Sequence, residues 1–134
     1  MIQSVCDEKE LSPAEYQQLL HDGLSKEYFI YIVKNVAEMS VKDFAVIAGV
    51  SQRTLSRLQP QQAIPSQATE VTLSALRTYQ KACDIFGNKE RAQEWMKRPN
   101  SALNSRTPLE SLKTRFGAEE VLDVLSRIEY GVYS

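Results

Sequence analysis

The sequence predicts an all-α chain, and three observations carry that expectation. Ser12-Pro13-Ala14-Glu15 and Thr107-Pro108-Leu109-Glu110 each set a hydroxyl at a helix N-cap, Pro at the first position and Glu at the third. Apolar residues recur at i, i+3, i+4 and i+7, as in Phe29, Ile32, Val33 and Val36. Glycines follow these stripes where a helix would stop, at Gly23, Gly49, Gly87 and Gly131.

Taken in order, the first capping box opens a short helix through Leu19 and Leu20 that ends at Gly23. A second helix starts near Ser25 and carries the Phe29–Val36 stripe. The β-rich run Tyr28–Val33 is also consistent with a strand, but the stripe outlasts the run. Ser40-Val41-Lys42-Asp43 caps a third helix with Val41, Phe44, Ala45 and Ala48 on one face. Ser51 caps a fourth, with Leu55 and Leu58 facing inward. Pro60 and Pro65 exclude regular helix from residues 59–65, which reads as a linker between two small domains. Thr72, Leu76, Tyr79, Cys83 and Phe86 then share a face of a long helix stopped by Gly87. Asn88 caps the next, which bears Ala92, Trp95 and Met96 and ends before Pro99. The second capping box opens a helix that Phe116-Gly117 should end. Ala118 to about Glu129 forms the last, with Val121, Val124, Leu125 and Ile128 inside and Gly131 breaking it.

Composition narrows the function. The chain has 134 residues, 43% apolar and 25% charged, a globular balance that argues against wholesale disorder. Its longest aliphatic-aromatic run, Tyr28–Val33, is far short of the ~18 residues that cross a bilayer. Met1–Glu10 is acidic without an apolar core, so the expectation is a soluble cytoplasmic protein with no secretory signal and no membrane partner. Cys6 and Cys83 stand far apart, outside any C-x-x-C spacing, which suggests neither a disulfide framework nor a zinc site. One histidine, His21, and two distant cysteines leave little for catalysis. No glycine-rich phosphate loop occurs either, so neither an enzyme, a cofactor nor a small-molecule substrate is expected. His21 reads as a surface or capping residue, and Trp95 with Met96 as core.

The charge is unevenly spread. Residues 1–40 hold seven acidic and three basic side chains, 41–66 one and three, 67–98 four and six, and 99–134 five and four. The basic middle is where a polyanion would be met. Within it, residues 40–58 have the form of a helix-turn-helix: a short amphipathic helix, a turn at Gly49-Val50 and a second helix from Ser51. Gln52, Arg53, Ser56 and Arg57 face outward with no carboxylate among them. Arg can take guanine O6 and N7 with two hydrogen bonds and Gln adenine N6 and N7, each pair discriminating by ~1–3 kcal/mol. Lys42, Ser51 and Thr54 suit phosphates, which position without reading sequence. An ordinary helical hairpin with a polar outer face shares this spacing. So modest a charge also implies weak binding by one copy, and a homodimer pairing two recognition helices one DNA turn apart would answer that.

The carboxy-terminal third adds a resemblance. Phe86-Gly87, Trp95-Met96, Pro99-Asn100-Ser101-Ala102-Leu103, Thr107-Pro108-Leu109-Glu110-Ser111-Leu112 and Arg127-Ile128-Glu129-Tyr130-Gly131-Val132-Tyr133-Ser134 occur in that order. The succession resembles the Xre/MbcA/ParS-type antitoxins, specifically the Xre partners of RES-domain toxins. Gly49-Val50-Ser51 with Arg53-Thr54-Leu55-Ser56-Arg57 is similar to that family's helix-turn-helix. The resemblance covers roughly Leu24 to Ser134. It departs at Asn104-Ser105, where the family usually has Gly-Gly, and at Leu58, where a second basic residue is common. Asn adopts the left-handed region readily and Ser less so.

The chain is thus expected in three parts: an acidic leader with a short helix at 1–23, outside the resemblance, and, as the resemblance implies, a DNA-binding helix-turn-helix domain at 24–66 and a toxin-binding domain at 67–134. It implies a dimer that represses its own operon and neutralises an NAD-degrading RES-domain toxin by covering that enzyme's NAD pocket. The implied plug is Arg127, Glu129, Tyr130, Gly131, Val132, Tyr133 and Ser134. Tyr130 and Tyr133 offer large contact area with two χ angles each to freeze. Gly131 lets the chain leave the helix, and Glu129 with a Ser134 carboxylate could meet cations that hold pyrophosphate. Read without the resemblance, the same end is a helix fraying at Gly131 with both tyrosines folded on their own domain. Two rival functions remain at this level: a stand-alone dimeric repressor without a toxin, and an interaction protein that has lost DNA binding.

Overall fold

A 21-residue helix, α5 (Ser66–Phe86), runs through the middle of the fold, and the other elements are arranged around it. The computed structural model describes residues 10–131. Before α5 come α1 (Pro13–Asp22), α2 (Lys26–Ile32) with a wider π turn at Val33–Ala37, α3 (Val41–Ala48) and α4 (Gln52–Arg57). After it come α6 (Lys89–Met96), a 3-10 turn at Ser101–Leu103, α7 (Pro108–Ser111) and α8 (Arg115–Glu129). The described residues contain two isolated antiparallel bridges, Ser25–Ala63 and Asn100–Arg106, and otherwise helices and turns. The chain is all-α, as the capping boxes and stripes predict. No helix among the described residues is long and apolar enough to cross a membrane.

Packing on α5 accounts for the core. Ala75, Leu76, Tyr79 and Ala82 are fully buried, and α5 meets α1, α2, the π turn, α3, α6 and α8. Its buried threonines bond within reach: Thr72 Oγ1 donates to the Ala68 carbonyl at 2.7 Å, and Thr78 Oγ1 to that of Ser74 at 2.7 Å. Phe29 of α2 and Phe44 of α3 meet edge-on, centroids 5.9 Å apart. Trp95 and Met96 are buried as expected, with Trp95 against Phe86 at 5.8 Å, while His21 is exposed beside Asp22 at 3.2 Å.

Segment 59–65 is non-helical, and it is held by backbone on both sides. The Lys26 N–H donates to Gln62 O at 2.8 Å, that of Glu27 to Pro60 O at 2.9 Å and that of Ile64 to Leu24 O at 2.8 Å. The Leu24 N–H donates to Thr69 Oγ1 at 3.1 Å. Buried apolar residues from Leu24 to Leu125 form one contiguous cluster across it.

Four features differ from, or test, the sequence reading. The Tyr28–Val33 run is helical, but the stripe passes into a π turn that ends on Glu38 in the left-handed region, φ 53°. Val33, Val36 and Ala37 stay buried there, and the freed Val36 carbonyl accepts from Gln93 Nε2 of α6 at 2.6 Å. Gly117 does not end a helix. α7 is a single turn, and Thr114 caps α8 by accepting from the Gly117 N–H at 3.0 Å. A Cβ there would stand 2.0 Å from the Ser111 carbonyl oxygen, so glycine serves close approach rather than termination. Asn104 and Ser105 both take left-handed conformations, φ 57° and 65°, and the turn closes with Ser105 N–H to Asn100 O at 2.9 Å. Cys83 is buried as expected but is disulfide-bonded, which corrects the expectation of no disulfide; separation along the chain does not set separation in space.

α1 is held more loosely than the rest. Its capping box forms, Ser12 Oγ accepting from the Glu15 N–H at 3.1 Å and Glu15 Oε1 from that of Ser12 at 2.8 Å, yet none of its residues is buried. Tyr16 is half-buried against α5, and its buried hydroxyl finds no hydrogen-bond partner among the described residues. Burial pushes the phenol from the usual 10 up to about 12.

Two outcomes follow from these contacts. Gly117→Ala should lower stability by about 3 kcal/mol or more, read from the urea midpoint, because the clash is with backbone. The folded state keeps the Tyr16 proton longer than the unfolded chain does. Its contribution is therefore complete below pH 10 and is lost as pH rises toward about 12. Tyr16→Phe should flatten that alkaline decline in a pH series of melting curves and leave the neutral-pH midpoint undiminished.

Candidate functional site

The first candidate surface is built on the turn between α3 and α4. Ser40 Oγ accepts from the Asp43 N–H at 3.0 Å and starts α3. α3 ends on Gly49, φ 76°, whose N–H donates to Ala45 O at 2.9 Å, while the Val50 N–H reaches the same carbonyl at 3.1 Å. Both bonds converge on the Ala45 carbonyl in a left-handed helix end, and only glycine adopts the left-handed residue without a Cβ penalty. Val50, at the turn, is buried, as are Phe44 and Ala48 of α3 and Leu55 of α4, all in the one core cluster. Leu58 is half-buried.

α4 therefore lies with its polar side outward. Gln52, Arg53, Ser56 and Arg57 are exposed, as is Lys42 on α3, and Thr54 is half-buried. Arg53 and Arg57 enter no ion pair among the described residues, so both guanidinium groups keep their donors for a ligand. Ser51 is spent locally: its Oγ accepts from the Thr54 N–H at 3.0 Å and donates to Thr54 Oγ1 at 2.9 Å. Ser56 Oγ likewise donates to Arg53 O at 2.9 Å.

Two residues of this surface escape the sequence reading. Lys26 Nζ donates to Leu58 O at 3.1 Å, closing the carboxyl end of α4 from α2. No local pattern links positions so far apart. Val46, 70% exposed on α3, stands off the apolar stripe, and that placement was the available signal.

The second surface is the end of α8. Arg127 donates from Nη2 to Asp123 Oδ2 at 2.5 Å and from Nε at 3.2 Å, one turn back on its own helix. Glu129 points instead toward α5, 3.6 Å from Lys81 Nζ. Tyr130 is 77% exposed and follows the last helical residue; Gly131 comes next at φ 70°, with open space where a Cβ would be. The structure thus brings Arg127 and Tyr130 to the outer side and sets Glu129 apart. Val132, Tyr133 and Ser134, the rest of the expected plug, lie outside the described residues. Sequence reading missed Phe116, 74% exposed at the other end of α8, by taking it as the end of a helix.

Cavities open beside α5. One of about 530 Å³ is lined by Leu20, Glu70, Val71, Leu112 and Arg115, among others. Its one acid, Glu70, is 3.3 Å from Arg115, whose guanidinium is held above its usual range by that pairing. Among the described residues no cluster of three or more His, Cys, Asp or Glu is placed to hold a metal.

Because Ser51 caps α4, Ser51→Ala should lower stability by about 1 kcal/mol in chemical denaturation, an effect a purely phosphate-contacting serine would not show.

Comparison with known proteins bears on both surfaces. Residues 81–131, which include α6, α7 and α8, match the family described as the antitoxin Xre/MbcA/ParS C-terminal toxin-binding domain. "Antitoxin Xre" of Photorhabdus laumondii subsp. laumondii is 32% identical over 118 residues, 87% of this chain and 79% of that protein. "Antitoxin Xre" of Yersinia enterocolitica is 28% identical over 127 residues, 91% of this chain and 86% of that protein. With a toxin-binding domain at its carboxyl end and this similarity along most of its length, the chain belongs to the Xre/MbcA/ParS-type antitoxins of toxin–antitoxin pairs.

Proposed function

We propose that this antitoxin, itself not an enzyme, acts in the cytoplasm by neutralising an NAD-degrading RES-domain toxin and by repressing its own operon as a homodimer. The observation that carries the toxin reading is Tyr130: an exposed aromatic at the end of α8, followed by Gly131, at the edge of the matched toxin-binding domain. An exposed tyrosine on a rigid helix end loses little entropy on entering a pocket. The plug is Arg127, Glu129, Tyr130 and Gly131, continued by Val132, Tyr133 and Ser134. For Glu129 to meet cations of the toxin it exchanges Lys81, a half-exposed pair whose loss costs little. The toxin holds the NAD; the antitoxin supplies residues that exclude it.

Repression rests on α4. Arg53 and Arg57, unpaired and exposed, read base edges with Gln52, and Lys42 and Thr54 meet phosphates, with Ser56 alongside on the outer face. Ser51 sets the helix by capping, its hydroxyl proton spent on Thr54 Oγ1, whereas Thr54 only accepts there and keeps its own proton for a phosphate oxygen. One six-residue helix with two arginines is a small footprint, and a second copy about one DNA turn away doubles it. The two functions occupy opposite ends of the sequence, 24–66 and 67–134, and so can be separated by substitution.

In gel shifts with the promoter DNA, Arg53→Ala with Arg57→Ala should weaken binding by tenfold or more, on the order of 1 kcal/mol or more per lost contact, and leave toxin rescue intact. Deleting Tyr130–Ser134 should abolish rescue of cells expressing a cognate RES-domain toxin, with DNA binding retained. Rescue by the truncated chain would instead show that the plug is misassigned.

A further inference from the structure

The large apolar side chains most exposed among the described residues are Val46, Phe116 and Tyr130. Val46 lies on α3. The other two lie on α8, inside the stretch matching a toxin-binding domain. They are 14 residues apart, which at 1.5 Å per residue is about 21 Å, and 14 residues is close to four whole turns. Phe116 and Tyr130 therefore stand on the same outer face. Between them, at helical spacing, the exposed residues are Glu119, Asp123 and Arg127, with half-buried Glu120 alongside. The inner face of the same helix, Val121, Val124 and Leu125, is buried against the core. Neither aromatic is needed there.

We infer that this outer face of α8 is a docking surface for the toxin, with Phe116 as a second anchor far from the plug. The inference rests on the toxin-binding reading above and adds a division of labour: the α8 face supplies affinity, and the residues after Tyr130 supply inhibition. Three carboxylates stand on the face against one guanidinium, and that guanidinium is tied to Asp123. Glu120 is 3.7 Å from Arg106, whereas Glu119 enters no ion pair among the described residues. The face is net acidic with an aromatic at each end. It fits a surface carrying two apolar sockets about 21 Å apart with cations between them. A protein that binds a pyrophosphate-containing dinucleotide offers cations beside its cleft.

A second copy of this chain is the less fitting occupant. Antiparallel pairing centred on Asp123 would set Phe116 over Tyr130 of the other copy and Glu119 near its Arg127. It would also set Asp123 against Asp123, with two net-acidic faces opposed.

The test uses the full chain and a purified cognate RES-domain toxin, with affinity by calorimetry and inhibition by NAD consumption. Phe116→Ala should weaken binding by on the order of 10–100-fold, as expected of a buried aromatic anchor. Inhibition should still be complete at saturating concentration, and Phe116→Tyr should restore most of the affinity. Glu119→Lys should weaken binding too, with a smaller deficit at high salt. A chain lacking residues 131–134 should still bind while failing to stop NAD consumption at saturation. Phe116 is exposed, so an unchanged melting midpoint for Phe116→Ala separates lost docking from lost folding. Wild-type affinity in Phe116→Ala, with binding abolished by the truncation, would overturn the docking face and leave the plug standing. Absence of any complex with the wild-type chain would sink both. Loss of self-association in Phe116→Ala, with toxin affinity unchanged, would assign the face to a second copy and overturn the inference.

Discussion

Everything in this fold is referred to one buried helix. α5 presents apolar residues around most of its circumference, so the helices on either side of it in sequence complete the same core. The threonines on its inner faces bond to carbonyls of their own helix, leaving few hydroxyl protons unmet in a dry interior. Thr69 differs: it donates to Ile64 O, before the helix, and receives the Leu24 N–H, and so ties the entry of α2 to the start of α5. The exposed faces of α4 and α8 owe their fixed positions to this arrangement.

Around that helix the polar groups are mostly used for closure rather than for binding. Serine or threonine caps start α1, α2, α3, α4, α7 and α8, each accepting from an N–H three residues on. Glu38, at the left-handed end of the π turn, gathers Lys89 on its carboxylate at 2.6 Å and Lys97 on its carbonyl at 3.1 Å. With Gln93 on Val36 these contacts clamp α6 to the end of α2. Against this background of satisfied groups, the free guanidinium groups of Arg53 and Arg57 and the bare rings of Phe116 and Tyr130 stand out as surfaces left open.

How much of this was legible in the sequence depended on whether the signal was local. Capping boxes at Ser12 and Thr107, the Gly49 turn and the stripe on α5 involve neighbours within one or two turns, and the structure has them where the pattern puts them. Gly117 was misread because a glycine that ends a helix and one that admits a passing carbonyl look alike without the third dimension. Lys26 on Leu58 and Gln93 on Val36 join residues 32 and 57 positions apart, and no periodicity encodes such pairs. The π turn had no signature either; it follows from α6 being present to take the carbonyl it frees. Of the candidate sites, Arg53, Arg57 and Tyr130 were visible as residue types at outward positions. Phe116 became visible only when α8 was seen to begin at Arg115.

The single contiguous core has a consequence for how such a protein can change over generations. Substitutions at Tyr79, Leu76 or Phe44 disturb packing common to the whole chain and are purged regardless of which task they would have altered. The outward positions of α4 and α8, among them Arg53, Arg57, Phe116 and Tyr130, are exposed and lie outside that core. What each of these faces recognises can therefore drift separately, one helix at a time, on an interior that packing holds fixed.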